Sequence, residues 1–212
     1  GKAKILPAAD STTTLDVQDK DGNTKLLVDT TNDYVKALGH NVNTQYVNFG
    51  INYVATTMSA NTHYAIPFGT GAAPPITPTA LGTSTNPDTS LTISSTAHLF
   101  AVTVWYIMDD ITIDRAVWWS AADLGTGDVT RAHLMGYDIV SDNSSTSGDL
   151  SNGTVLCDGA DITNSGYEQV YYQQMTVQSA NVDAGKAVFF VFRSDSVNSD
   201  YSINATIKFH LR

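Results

Sequence analysis

The sequence predicts an all-β protein: an N-terminal β-hairpin or extended arm followed by a C-terminal antiparallel β-sandwich, jelly-roll-like in type. Three observations predict it. The 212 residues are rich in Thr (27), Ser (18), Asn (14) and Gly (15), types that favour strands, turns and caps over helix interiors. Residues 201–212 alternate with period two: Tyr201, Ile203, Ala205, Ile207, Phe209 and Leu211 on one parity, polar residues on the other. Short apolar runs are separated by Asn/Asp/Gly/Ser clusters at 124–128, 141–153, 183–186 and 194–200, the spacing of a sandwich or barrel.

A hydrophobic content of 42% with 3 Trp, 10 Tyr and 7 Phe is enough to build a core and excludes a disordered chain. No apolar run reaches the roughly 18 residues that a membrane helix requires. Three zones follow from composition. Residues 1–68 form an N-terminal zone of short strands. Residues 69–90, with Pro74, Pro75, Pro78 and Pro87 and a single charge at Asp88, read as a stiff extended linker. Residues 91–212 form the sandwich head.

Within the first zone, Leu15-x-Val17 and Leu26-x-Val28 flank Asp21-Gly22, which supplies the positive φ of a tight hairpin turn. Asn32 or Asp33 could cap one helical turn over Tyr34–Leu38, with Gly39 as its stop. Residues 42–54 return to a strand-like pattern. An isolated hairpin is marginal in water, and this zone offers little core of its own. In the head, 99–107 and 188–192 are continuous apolar runs, suited to strands covered on both faces. Ile111, Ile113, Val117 and Trp119 alternate, with Arg115 as the exception. Further strands are expected near 132–140 and 167–178.

The net charge is −10, and no two of the eleven basic residues are adjacent. That pattern argues against nucleic acid and against anionic membrane surfaces as partners. Cys157 is the one cysteine, so the sequence carries no disulfide framework or thiolate metal cage. The first residues lack the apolar stretch of a signal peptide, so export is not expected.

The run from Asp19 to Gly39, DKDGNTKLLVDTTNDYVKALG, resembles a short repeat of bacteriophage fibres and related virion proteins. Gly22, Val28, Asp29, Thr30, Thr31, Asn32, Asp33, Val35 and Gly39 carry the resemblance, and the pattern departs from it at Lys36-Ala37-Leu38. The last thirty residues are similar in texture to the β-sandwich knobs of phage virion proteins. The resemblance implies a homotrimeric virion component, assembled in the host cytoplasm, with an N-terminal attachment region and a β-rich head. Trimerisation would bury Leu15, Val17, Leu26 and Val28 and hide strand edges. Three copies of four such side chains supply on the order of 10 kcal/mol before entropy is subtracted.

Candidate chemistry is sparse. Asp19-x-Asp21-Gly22-Asn23 could open a calcium loop, but an EF-hand requires Gly and Glu where Thr24 and Thr30 stand. Asp109, Asp110 and Asp114 read as a solvated turn rather than a glycosidase pair. The histidines, His40, His63, His98, His133 and His210, form no ligand spacing and read as surface or interface residues. No GxSxG, Walker or GxGxxG motif is present, so neither an enzyme, a metal site nor a cofactor is expected. Trp119 shares the parity of Val117, which places it in the core and turns Trp118 outward. Trp118, with Tyr171 and Tyr172, is then a candidate glycan contact. The expected function is structural: a homotrimeric capsid decoration, cement or head-fibre protein whose partners are its own copies and the major capsid protein or other virion proteins. The alternatives are a tail-fibre or receptor-binding protein whose sandwich binds host glycan, and a secreted carbohydrate-binding module.

Overall fold

A computed structural model describes residues 7–31, 34–51, 58–68, 79–91, 102–123, 125–139, 150–166, 169–196 and 200–212. The fold is all-β and its sheets are antiparallel. The chain divides into two compact units, residues 1–45 with 210–212 and residues 46–209.

The first unit is a four-stranded meander, β1 (Leu15–Gln18), β2 (Thr24–Asp29), β3 (Tyr34–Ala37) and β4 (His40–Asn41), paired in chain order. The first hairpin forms where the sequence places it. Asp19 Oδ1 accepts the N–H groups of Asp21 and Asn23, each at 2.9 Å, and Gly22 takes φ 81°. The helical turn expected over Tyr34–Leu38 is instead strand β3. One turn of helix fixes several dihedrals for a single hydrogen bond, whereas β3 pairs along its length with β2. Leu38 (φ 51°) and Gly39 (φ 82°) then form the two-residue turn to β4, with Ala37 opposite His40. Two positive φ values in succession are the signature of a type I′ hairpin turn.

The second unit is a sandwich. One sheet runs β12 (Gln169–Gln174), β8 (Ile111–Asp123), β16 (Asp200–Leu211), β5 (Thr44–Ile51), with β14 (Asn181–Val182) also on β8. The other contains β10 (Ser151–Asp158), β9 (Val129–Asp138), β15 (Lys186–Ser194) and β6 (Thr62–Ala65) in that order. Short strands β7 (Trp105–Tyr106), β11 (Ile162–Thr163) and β13 (Thr176–Val177) extend it. Taken in chain order, the eight main strands distribute between the sheets as in a jelly roll. Aromatic rings join the two inner faces: Phe49 with Phe190 at 6.0 Å, Trp118 with Phe192 at 6.0 Å, and Trp105 with Phe209 at 4.9 Å between centroids. The alternation of 201–212 places Tyr201, Ile203, Ala205, Ile207 and Phe209 in this core.

The zone limits differ from those read in the sequence. Val47, Phe49 and Ile51 point into the sandwich core, and β6 pairs with β15, so the boundary falls at 45/46 rather than at 68. Residues 69–78 of the expected linker, and 99–101 of the apolar run ending at Ile107, lie outside the described residues. The described remainder of the linker, 79–90, does not merely connect. Leu81 is fully buried, and its N–H bonds the His63 carbonyl at 2.7 Å. It joins Ala65, Met135, Tyr137, Leu150, Phe189 and Val191 in a second apolar cluster. Phe190 and Phe192 therefore face the sandwich interior while Phe189 and Val191 face this cover, which is why 188–192 is apolar on both parities.

Gly153 shows how close the cover lies. A Cβ there would come within 2.7 Å of the Thr89 backbone and 2.6 Å of the Tyr137 ring, and the Gly153 N–H donates to Thr89 O at 2.8 Å. Gly153→Ala is expected to lower stability by about 1–3 kcal/mol in denaturant titration, because backbone rather than a flexible side chain must move.

Candidate interaction surfaces

Among its described residues the meander has no buried apolar side chain. Among described residues 7–45, Asp29 alone is buried, with its Oδ1 accepting the Thr31 N–H at 2.9 Å. Six of its apolar side chains nevertheless share one face, with Leu27 on the other. Leu15 stands opposite Val28, and Val17 opposite Leu26. Val28 in turn stands opposite Val35, and Leu26 opposite Ala37. Side chains directly opposite one another lie on the same side of a sheet. The four residues proposed from sequence, Leu15, Val17, Leu26 and Val28, are thus joined by Val35 and Ala37, a pair hidden from sequence reading by the expected helix. Val17 remains 46% exposed and the rest of the stripe is half-buried.

The second surface is the outer face of the β12–β8–β16–β5 sheet. Here the tryptophan assignment reverses. Trp118 is fully buried against Phe192, its indole N–H donating to Gln173 Oε1 at 3.2 Å, and it is not a glycan contact. Trp119 is 39% exposed. The cause lies upstream in β8: Asp114 and Arg115 are both exposed, so the inward parity of Ile111 and Ile113 passes to Ala116, Trp118 and Ser120. Arg115, the exception in the pattern, was the signal for that shift. Tyr171 is half-buried and held by its hydroxyl, which donates to Asn164 Oδ1 at 2.9 Å and accepts the Ser165 N–H at 2.7 Å. Tyr172, opposite Trp119, keeps its place as an exposed ring at 61%. Beside it a concavity of about 440 Å3 is lined by Tyr46, Asp114, Arg115, Tyr172, Thr206 and Lys208 over Val117.

Two histidines expected at a surface or interface are core residues. His63 and His133 are fully buried, with ring centroids 5.1 Å apart. His63 Nε2 lies 2.9 Å from the Ser84 carbonyl, the cover segment again. His133 Nε2 is 3.2 Å from Asp158 Oδ1 but is not aligned for a hydrogen bond, so neither ring nitrogen of His133 has one. Burial lowers both pKa values, that of His133 to about 4. His40 is exposed, His210 is half-buried, and His98 lies outside the described residues.

Of the carboxylates expected in a turn, Asp114 lies in strand β8 instead. Asp109 and Asp110 are exposed, and Asp110 Oδ1 accepts the Ala184 N–H at 2.8 Å. The Lys25 ammonium at 2.9 Å, together with the turn amides, holds Asp19 down to about 2, which assigns this carboxylate to closing the hairpin. Arg131 binds Asp158 through Nη2 at 2.9 Å to both carboxylate oxygens and reaches Asp161 at 3.5 Å. Cys157 is buried, which pushes its thiol up to about 12, far from a reactive thiolate. No family model matches the chain, and no curated protein matches it in sequence.

Proposed function

We propose that the chain is a structural component of a tailed-phage virion, a homotrimeric capsid decoration, cement or head-fibre protein. In this reading the meander attaches the protein to its own copies and to the major capsid protein or another virion protein. The sandwich is the displayed head. The reading assigns no reaction and no cofactor: the work is burial of apolar surface and pairing of strand edges. Its main support is the stripe Leu15, Val17, Leu26, Val28, Val35, Ala37 on one face of a sheet in which Asp29 alone is buried among the described residues. Six apolar side chains on a four-stranded sheet gain cover only from another surface, and three copies around one axis provide it symmetrically.

Light scattering tests this directly. A mass three times the 22.7 kDa of the chain is expected. Val17→Asp with Leu26→Asp should reduce it to that of a single chain, because each new carboxylate would be buried in the assembled interface. The same double variant should no longer co-sediment with capsids. A wild-type protein that is monomeric at micromolar concentration, and remains so with capsids present, overturns the reading. The exposed aromatic concavity on the sandwich favours a second reading, a receptor-binding protein whose head contacts host glycan.

A further inference from the structure

The concavity on the β12–β8–β16–β5 face has a defined chemistry. Tyr46 and Tyr172 are 63% and 61% exposed, so two large rings stand in water on a sheet whose other outward residues are mainly polar. Exposed aromatic rings offer flat apolar faces to the C–H side of a pyranose ring, while adjacent polar groups take its hydroxyls. Tyr172 is fixed as well as exposed, since its hydroxyl accepts a hydrogen bond from Arg115 NH2 at 3.0 Å. Thr206 is held by donating to Asn48 Oδ1 at 2.7 Å. An anchored wall costs less ordering on binding than a mobile one.

The charge is the second, independent observation. The chain carries −10, yet Arg115 and Lys208 line this one concavity together, with Asp114 as its single acid. No ion pair among the described residues takes either cation. The parity shift at Asp114–Arg115 is what brings the guanidinium to this face: a regular strand would have turned one of the two inward. A planar guanidinium recognises a carboxylate or phosphate by paired hydrogen bonds, and an ammonium adds a point charge.

We propose that this concavity binds an anionic saccharide, a pyranose bearing a carboxylate or phosphate group, with the acid on Arg115 and Lys208, the ring against Tyr172 and Tyr46, and hydroxyls on Asp114 and Thr206. The volume of about 440 Å3 suits one or two sugar residues. The proposal concerns the sandwich face alone and does not depend on the oligomeric state or on attachment through the meander.

Saturation-transfer NMR on the full chain tests it, with glucuronate, N-acetylneuraminate and glucose 6-phosphate as probes and glucose as the neutral control. Ring-proton saturation is expected for at least one acidic sugar and not for glucose. The sugar that responds tells carboxylate from phosphate. Arg115→Met and Tyr172→Ala should each weaken binding by about tenfold or more, the loss of one charged hydrogen bond or one stacking face. Arg115→Lys should retain part of it. Both positions are exposed, and an unchanged melting temperature verifies the fold. No transfer from any acidic sugar overturns the proposal. So does equal transfer from glucose, undiminished binding in Arg115→Met, or full competition by acetate or inorganic phosphate at equal concentration, which would mark a plain anion site.

Discussion

Replacing Trp118 by Ala is expected to lower the unfolding free energy by about 3–5 kcal/mol, while Trp119→Ala changes it by less than about 1 kcal/mol. The two residues are neighbours in β8 and chemically identical, so the contrast isolates burial. Trp118 is fully enclosed, packs on Phe192 across the sandwich and donates its N–H to Gln173. Its removal leaves a large cavity between sheets and a side-chain amide without its donor. Trp119 lies on the outer face with two-fifths of its surface in water, so truncation removes little from the interior. Urea titration of the two variants reads the difference as a shift in midpoint at constant slope. If instead Trp119→Ala proves the costly change, β8 follows the unshifted parity and Arg115 points inward.

That reversal shows where sequence reading stops. Period-two alternation located β16 and the double-sided run of β15, because burial on one face or two is written directly into side-chain type. It failed at β8 because a one-residue shift exchanges every subsequent face, and a single Arg in the pattern does not say whether the strand shifts or merely tolerates an exception. The hairpin turn at Asp19–Asn23 was legible because Asx and Gly chemistry is local. The strand β3 was not, since Tyr34–Ala37 gains its pairing only from β2. Residues 79–90 look like linker in sequence because turn residues dominate them. Leu81 is the one large aliphatic side chain there, buried with Thr79 and Pro87, and one leucine is too little signal to predict a cover. The stripe on the meander was visible in four of its six members, whereas Tyr46, Arg115 and Lys208 converge from three strands, a juxtaposition no spacing in the chain could have shown.

The buried histidines predict a loss of stability on mild acidification. In the folded protein His133 is held neutral down to about pH 4, chiefly by burial and then by His63 beside it; its unfolded value is near 6.5. Between those values the unfolded chain binds the proton and the folded one does not, so stability falls as pH drops through 6.5 and continues to fall until about 4. For His133 alone the shift corresponds to a few kcal/mol, on the order of 3. His63 is lowered in the same direction, by burial first, with Arg193 also opposing its charge. Asp158 attracts a proton to His133, but Arg131, Arg193 and His63 all face it as competing cations. The window lies above that of the stabilised carboxylates: Asp19, held down to about 2, gives up its contribution only as pH falls below its ordinary value of 3.8. Denaturant titrations across pH 7 to 4 should therefore show a decline beginning near 6.5, and His133→Phe should flatten most of it. A stability that stays level until the carboxylates titrate would mean that the imidazoles reach water or an anionic partner in the folded state. The cost falls on burial: the Ser84 carbonyl, 2.9 Å from His63 Nε2, favours the charged ring, so desolvation of the buried imidazoles, and not the loss of this contact, carries the effect.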